Sequence, residues 1–384
     1  MWLLKEISEF YIILFLLILL LGSLKTIKVN KVYYYLAFAF AVCIGIMAFN
    51  LEPGVELDLY RLQNYVKLLQ FGDGSFFSKI WGVKGFMGGD STQAMIGWNL
   101  ICYAVKELGD VHWLSAIGSF LTFFNILYMI VDYAYSKGYT SELISIGILL
   151  AFMGAPVQYV LSGIRNVLAV SYVLLAFYLL FYKKKSLVLS IIILIFGITI
   201  HSASLFALFP VFFVKFRRQK LLRAIALFSL PIIFTLANAM KGLNIPLISL
   251  TVNRVLYYTN VQYQYDRPEM IANIAVFLTI SFVYWYYKKQ GYIKENNILQ
   301  TYYINAYYLL GAMMVGCSIH RDFTLRIGYI MGIGAIPVLA AILWSKKDNL
   351  HDKYMNSFLI LITTVCCIKV YYDTAIGILQ WNFG

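Results

Sequence analysis

Long apolar runs, cut by short polar breaks, set the plan of this chain. Runs of spanning or near-spanning length fall at 7–24, 32–49, 113–131, 143–160, 167–182, 224–240, 271–287, 302–317, 327–344 and 357–370. A helix of about 20 apolar residues crosses a hydrocarbon core of about 30 Å, so each run predicts a membrane helix. Two segments resist that reading. Residues 94–108 are short and carry Asn99; residues 186–214 are too long for one crossing and too short for two. The first run has no basic start and no small-residue cleavage site, which predicts an anchor helix and not a signal peptide. The fold class that follows is an all-α polytopic membrane protein with about ten to twelve transmembrane or re-entrant helices. Residues 1–384 read as a single integral membrane domain without internal repeats.

Basic clusters at 25–31, 183–185, 215–223, 288–294 and 346–353 fix an orientation. The excess of Lys and Arg marks cytoplasmic loops. Two of these clusters flank 186–214, so that segment is expected to enter and return on one side as a re-entrant hairpin, with His201 near its tip. Non-helical backbone at membrane depth survives only beside protein or a water-filled cavity, so the hairpin implies a cavity. Residues 94–108 are expected to lie on, or dip into, the outer face. The outer loops are then 50–93, 163–166, 241–270 and 318–326. Inside the first, Asp58, Leu59, Tyr60 and Arg61, with Tyr65, Leu68 and Leu69 beyond, predict a short amphipathic helix lying on the bilayer and stopped by Gly72 and Gly74.

Composition sharpens this picture. The chain is 61% hydrophobic and 13% charged, with a net charge of +13. A soluble core cannot absorb so much apolar surface, and positive-inside loops explain the charge better than nucleic acid does. The five cysteines, Cys43, Cys102, Cys317, Cys366 and Cys367, lie in or beside apolar runs without metal spacing. Much of the aromatic content fits an interfacial belt, although some rings could stack on sugars. There is no P-loop, no His-Glu-x-x-His motif, no Gly-x-Ser-x-Gly elbow and no carboxylate cage, so no cofactor and no metal are expected.

Arginine departs from the lysine pattern. Six of the nine arginines, Arg61, Arg165, Arg254, Arg267, Arg321 and Arg326, fall on the predicted outer side. A charge at mid-membrane costs roughly 2.5–3.5 kcal/mol. Arg165, isolated in Gly163-Ile164-Arg165-Asn166, therefore reads either as a ligand for an anion or as a helix-end residue snorkelling to the interface. His201 is the only ionisable residue of 186–214 and either moves a proton or holds a kink. His320, Arg321, Asp322 and Arg326 gather at one helix mouth. An Asp322–Arg326 pair four residues apart would leave Arg321 for a ligand. Gly328 and Gly332 suit helix packing. Asp58 and Glu56 are the outer carboxylates best suited to general-base work, with Asp322 and Asp266 in reserve.

In order along the chain, these features resemble the EpsG-type family of bacterial polysaccharide polymerases, related in plan to Wzy O-antigen and capsule polymerases. Gly54, Asp58 and Tyr60 resemble its outer Gly/Asp/Tyr motif. Gly163 to Asn166, the Lys run, and then His201-Ser202-Ala203 resemble its central signature, and Arg326 with Tyr329 its C-terminal arginine helix. The family's acidic-Pro-Gly-aromatic motif is replaced here by Gly88-Gly89-Asp90-Ser91, with Glu52-Pro53-Gly54 lying earlier.

The resemblance implies a GT-C-like membrane glycosyltransferase of the bacterial cytoplasmic (inner) membrane, with its active site on the outer face. It would join undecaprenyl-diphosphate-linked oligosaccharide repeat units into capsule, exopolysaccharide or O-antigen, with flippase and chain-length regulator proteins as further partners besides membrane lipid. Arg165, Arg321 and Arg326 would hold the leaving diphosphate. Asp58 or His201 would take the acceptor proton. Tyr60, Tyr329, Arg254 and His320 would complete the substrate site. Two rivals stand beside this. A lipid-oligosaccharide flippase would want its cations in a central cavity open to both sides. A glycan acyltransferase would want its His beside a cytoplasmic acyl-CoA site.

Overall fold

The structure is a computed structural model. It describes residues 27–50, 53, 58–71, 75–81, 92, 95–154, 160, 164–183, 186–201, 204, 212–243, 267–291, 293, 298–318 and 320–338, with short pieces between 245 and 256. The runs at 7–24 and 357–370 lie outside these residues.

The apolar runs form helices because a helix satisfies its own backbone where no water can. In chain order they are α1 (Val32–Phe49), α2 (Asp58–Phe71), α3 (Phe76–Trp81), α4 (Ile96–Glu107), α5 (Trp113–Lys137), α6 (Ser141–Gly154), α7 (Ile164–Phe181), α8 (Leu187–Ile200), α9 (Gln219–Ala226), α10 (Ser229–Ala239), α11 (Arg267–Lys289), α12 (Ile298–Gly316) and α13 (Arg321–Gly334). No strand occurs among the described residues; one isolated bridge joins Lys28 to Thr140. Among the same residues, Trp113–Lys137, Ile164–Phe181 and Met270–Lys289 are long and apolar enough to cross a membrane. The bent pair α9 and α10 makes a fourth if it counts as one span. Val32–Ile46, Leu187–Ile200 and Phe323–Val338 are shorter apolar helices. The protein is an all-α polytopic membrane protein.

Helices α5 and α7 form the centre. Helix α1 packs along α5, α8 along α7, and α13 touches α6, α7, α11 and α12. Helix α5 ends at Gly138, whose φ of +67° is the left-handed cap that glycine adopts at least cost.

Contacts bring three lysines to one end of the bundle. Tyr182, which closes α7, lies 5.1 Å from Tyr303 near the start of α12. Lys215 sits over the Tyr302 ring, and Asn305 Nδ2 donates to the Val214 carbonyl at 3.2 Å. Lys183, Lys215 and Lys137 thus gather where α5, α7 and α11 finish and α12 begins. The opposite end holds the starts of α5, α7 and α13 and the finish of α12, tied by Thr324 Oγ1 donating to the Cys317 carbonyl at 2.8 Å.

The run at 224–240 is not one straight helix. Helices α9 and α10 meet at 74°. Pro231 has no N–H to donate to Leu227, and its ring crowds that carbonyl. The turn is tucked against α12, where a Cβ on Gly316 would stand 2.6 Å from the carbonyl oxygens of both Ala226 and Leu227. Ser229 Oγ donates to the Met313 carbonyl at 3.1 Å.

Candidate active site

Three glycines bring Arg165 and His201 to one corner. Gly118 of α5 lets the Ile164 side chain lie where its own Cβ would be, at 2.2 Å. Gly197 of α8 fits against the Ala169 carbonyl and Tyr172 Cβ, both 3.1 Å from a Cβ there. Gly97 of α4 approaches Thr199 Oγ1 and the Phe196 carbonyl, 2.8 and 2.9 Å from a Cβ, and its N–H donates to Thr199 Oγ1. The start of α7, the end of α8 and the start of α4 therefore interlock.

Arg165 is the second residue of α7 and is 7% exposed. The sequence pattern predicts an outer loop around it at 163–166; the helix begins at Ile164 instead. Its Nη1 lies 3.9 Å from Met95 Sδ and its Cζ 5.6 Å from the Trp98 ring centroid. His201 follows α8 in extended backbone and is 5% exposed. Its N–H reaches back to the Gly197 carbonyl, and its own carbonyl accepts from Ser204. The second limb of the expected hairpin lies outside the described residues.

A polar network lies beside the arginine. Tyr65 donates its hydroxyl to Asn99 Oδ1 at 3.1 Å, and Thr92 Oγ1 donates to Tyr65 at 3.0 Å. Asn99 Nδ2 donates to the carbonyls of Ile80 and Thr92, both at 2.9 Å. Burial pushes the Tyr65 phenol up to about 12, so it stays a neutral donor across the physiological range. The network ties α2 and the end of α3 to α4. Helix α4 has 12 residues, about 18 Å of rise, too short to cross the core. The Trp98 indole N–H is buried with no hydrogen-bond partner among the described residues. Sequence reasoning missed Trp98 and Tyr65; the one available signal was a Trp beside a Gly in a short apolar segment with Asn99.

The remaining candidates distribute as follows. Asp58 opens α2, is exposed and pairs with Arg61. Tyr60 is exposed as well. The apolar face of α2, with Leu59, Leu62, Tyr65, Val66 and Leu69, docks on α4 and not on the bilayer as the spacing had suggested. Asp58 lies in the first turn of α2, on the stripe that carries Leu62, Tyr65 and Leu69. Arg321, Arg326 and Tyr329 belong to α13, which begins inside the expected loop 318–326. His320 caps that helix, its carbonyl accepting from Thr324 N–H and Oγ1. Arg326 is partly buried and Tyr329 fully. Arg254, and the side chains of Arg321 and Asp322, lie outside the described residues.

Register relates Arg326 to Arg165. Helices α7 and α13 both start at the end opposite the lysines and so run parallel, and Leu174 and Tyr178 line one small cavity with Ile333, Ile336 and Pro337. Nine residues separate Arg165 from Leu174 and seven separate Arg326 from Ile333. At about 1.5 Å per residue both arginines sit about 10–14 Å above that level. Arg326 shares a stripe with Ile333, two turns on. Arg165 lies about half a turn round from Leu174. The two arginines flank α7 at similar height, on opposite sides.

One buried acid was also missed. Asp132 of α5 is 5% exposed and accepts from Tyr34 of α1 at 2.7 Å and from Tyr178 of α7. Lys183 Nζ lies 2.8 Å from Oδ2, the oxygen that Tyr178 also reaches. This joins three helices at the lysine end, far from Arg165.

These features define a multi-pass α-helical membrane protein with a buried cationic corner at one end. The chain belongs to the EpsG family, whose pattern matches residues 34–383. Membership suggests a polysaccharide polymerase-like function. No curated protein and no solved structure matches the chain.

Proposed function

We propose that the protein polymerises undecaprenyl-diphosphate-linked oligosaccharide repeat units by glycosyl transfer on the outer leaflet, as a GT-C-type enzyme. The observation that carries this reading is the buried Arg165 guanidinium at the start of α7, beside Trp98 and in one corner with His201. An acceptor hydroxyl attacks the anomeric carbon of the donor sugar. The bond from that carbon to the diphosphate oxygen breaks, and the lipid diphosphate departs with growing negative charge. Arg165 meets that charge where little water screens it, with Arg326 and Arg321 beyond α7. The acceptor proton passes to a base. His201 suits that role better than Asp58, which is exposed and paired with Arg61. The lysine end then faces the cytoplasm and the arginine end the outside.

The test is Arg165→Lys. It keeps the charge and loses the bidentate fork. Losing such a donor costs on the order of 10²–10³ in rate. The variant is expected to accumulate normally while cells collect single lipid-linked repeat units and little long polymer. Polymer of ordinary length and amount would leave Arg165 a snorkelling anchor and move the phosphate role to Arg321 and Arg326.

A further inference from the structure

At the lysine end, residues 212–221 carry a cation cluster that no acid among the described residues pairs with. Lys215, Arg217, Arg218 and Lys220 are all exposed. None of the ion pairs among the described residues involves them. No Asp or Glu occurs anywhere from 143 to 265. The cluster is also held in shape. Gln219 Nε2 donates to the carbonyls of Phe213, Val214 and Phe216 at 2.9, 3.0 and 2.8 Å, folding the segment into a tight loop at the head of α9. Asn305 fastens that loop to α12 through Val214, and Arg223 Nη2 donates to Asn305 Oδ1 at 3.0 Å.

The neighbours of the cations are apolar. Phe212, Phe213, Phe216 and Leu221 are exposed between them. Apolar groups for acyl chains, interleaved with exposed cations at the end of a bundle, match a bilayer interface and not a soluble acidic protein. We infer that residues 212–221 form a docking site for anionic phospholipid headgroups in the leaflet at the lysine end. The apolar side chains enter the acyl boundary and the four cations meet the phosphates. This site is independent of the chemistry at the arginine end.

The experiment is native mass spectrometry of the purified full-length protein with phosphatidylglycerol or phosphatidylcholine of matched chains. The protein is expected to retain phosphatidylglycerol preferentially. Each neutralised cation is expected to weaken retention roughly fivefold. Arg217→Gln/Arg218→Gln should thus lose about 25-fold, while Arg217→Lys/Arg218→Lys stays near the parent. Lys137→Gln, an exposed cation at the same end on α5, should change nothing. Equal retention of the two lipids would overturn the site, as would unchanged retention in the double Gln variant. So would an equal loss in Lys137→Gln, which would reduce the effect to bulk charge. Should the double variant fail to fold, Arg218→Gln alone carries the same fivefold expectation.

Discussion

Buried polar side chains decide most at the residue scale, because each must find a partner or be costly. Asp132→Asn is the sharpest case. It removes the charge that faces Lys183 while leaving the ammonium in place. Breaking a buried ion pair by removing one partner costs about 3–5 kcal/mol. Lys183 is 27% exposed, so the lower end is expected. Asp132→Asn/Lys183→Met should recover most of that loss, since removing both charges leaves neither stranded. Thermal unfolding of the purified variants measures both. Tyr65→Phe should cost about 1–3 kcal/mol by orphaning Asn99 Oδ1, read as faster hydrogen exchange in α2 and α4. Arg165 was legible in the sequence because a charge among apolar residues is conspicuous at any register. Asp132 was not, because Tyr34 and Tyr178 lie 98 and 46 positions away and no local spacing links them.

Element-scale behaviour follows from where backbones touch. Gly97 brings α4 within contact of the Phe196 carbonyl, and no side chain can be accommodated without moving α4 or α8. Gly97→Val should cost about 1–3 kcal/mol in stability. It should also lower polymer yield per molecule, because α4 carries Met95 and Trp98 against Arg165. A variant with normal melting and normal polymer would separate that contact from function. Continuous apolar runs made α5, α7 and α11 readable, since length alone separates a span from a surface helix. Ends were harder. Helix α7 starts at Ile164 and α13 at Arg321, so arginines expected in loops sit in first turns or beyond. Run length also passed over Pro231, whose missing donor is a local fact that average hydropathy cannot register.

For the whole molecule, the gathering of Lys137, Lys183 and the cations of 215–220 at one end gives a sidedness that labelling can check. Single cysteines at 218 and 61 should differ in intact cells. An impermeant thiol reagent should reach position 61 and not 218. Labelling at 218 would reverse the orientation proposed here. The plan of the bundle was legible because lysine clusters and apolar runs are both local signals. Its packing was not, because α13 touches α6 and α7 across more than 150 positions of sequence. The bend between α9 and α10 carries a consequence for how the chain is made. Its carbonyls lie against Gly316, and Ser229 bonds to Met313, so its cover belongs to α12, synthesised about 80 residues later. Until α12 has left the ribosome and entered the bilayer, residues 219–239 have no settled place. A nascent chain halted before 298 should therefore hold this segment where proteases cut it, and one halted far enough beyond Gly316 for α12 to clear the ribosome should protect it.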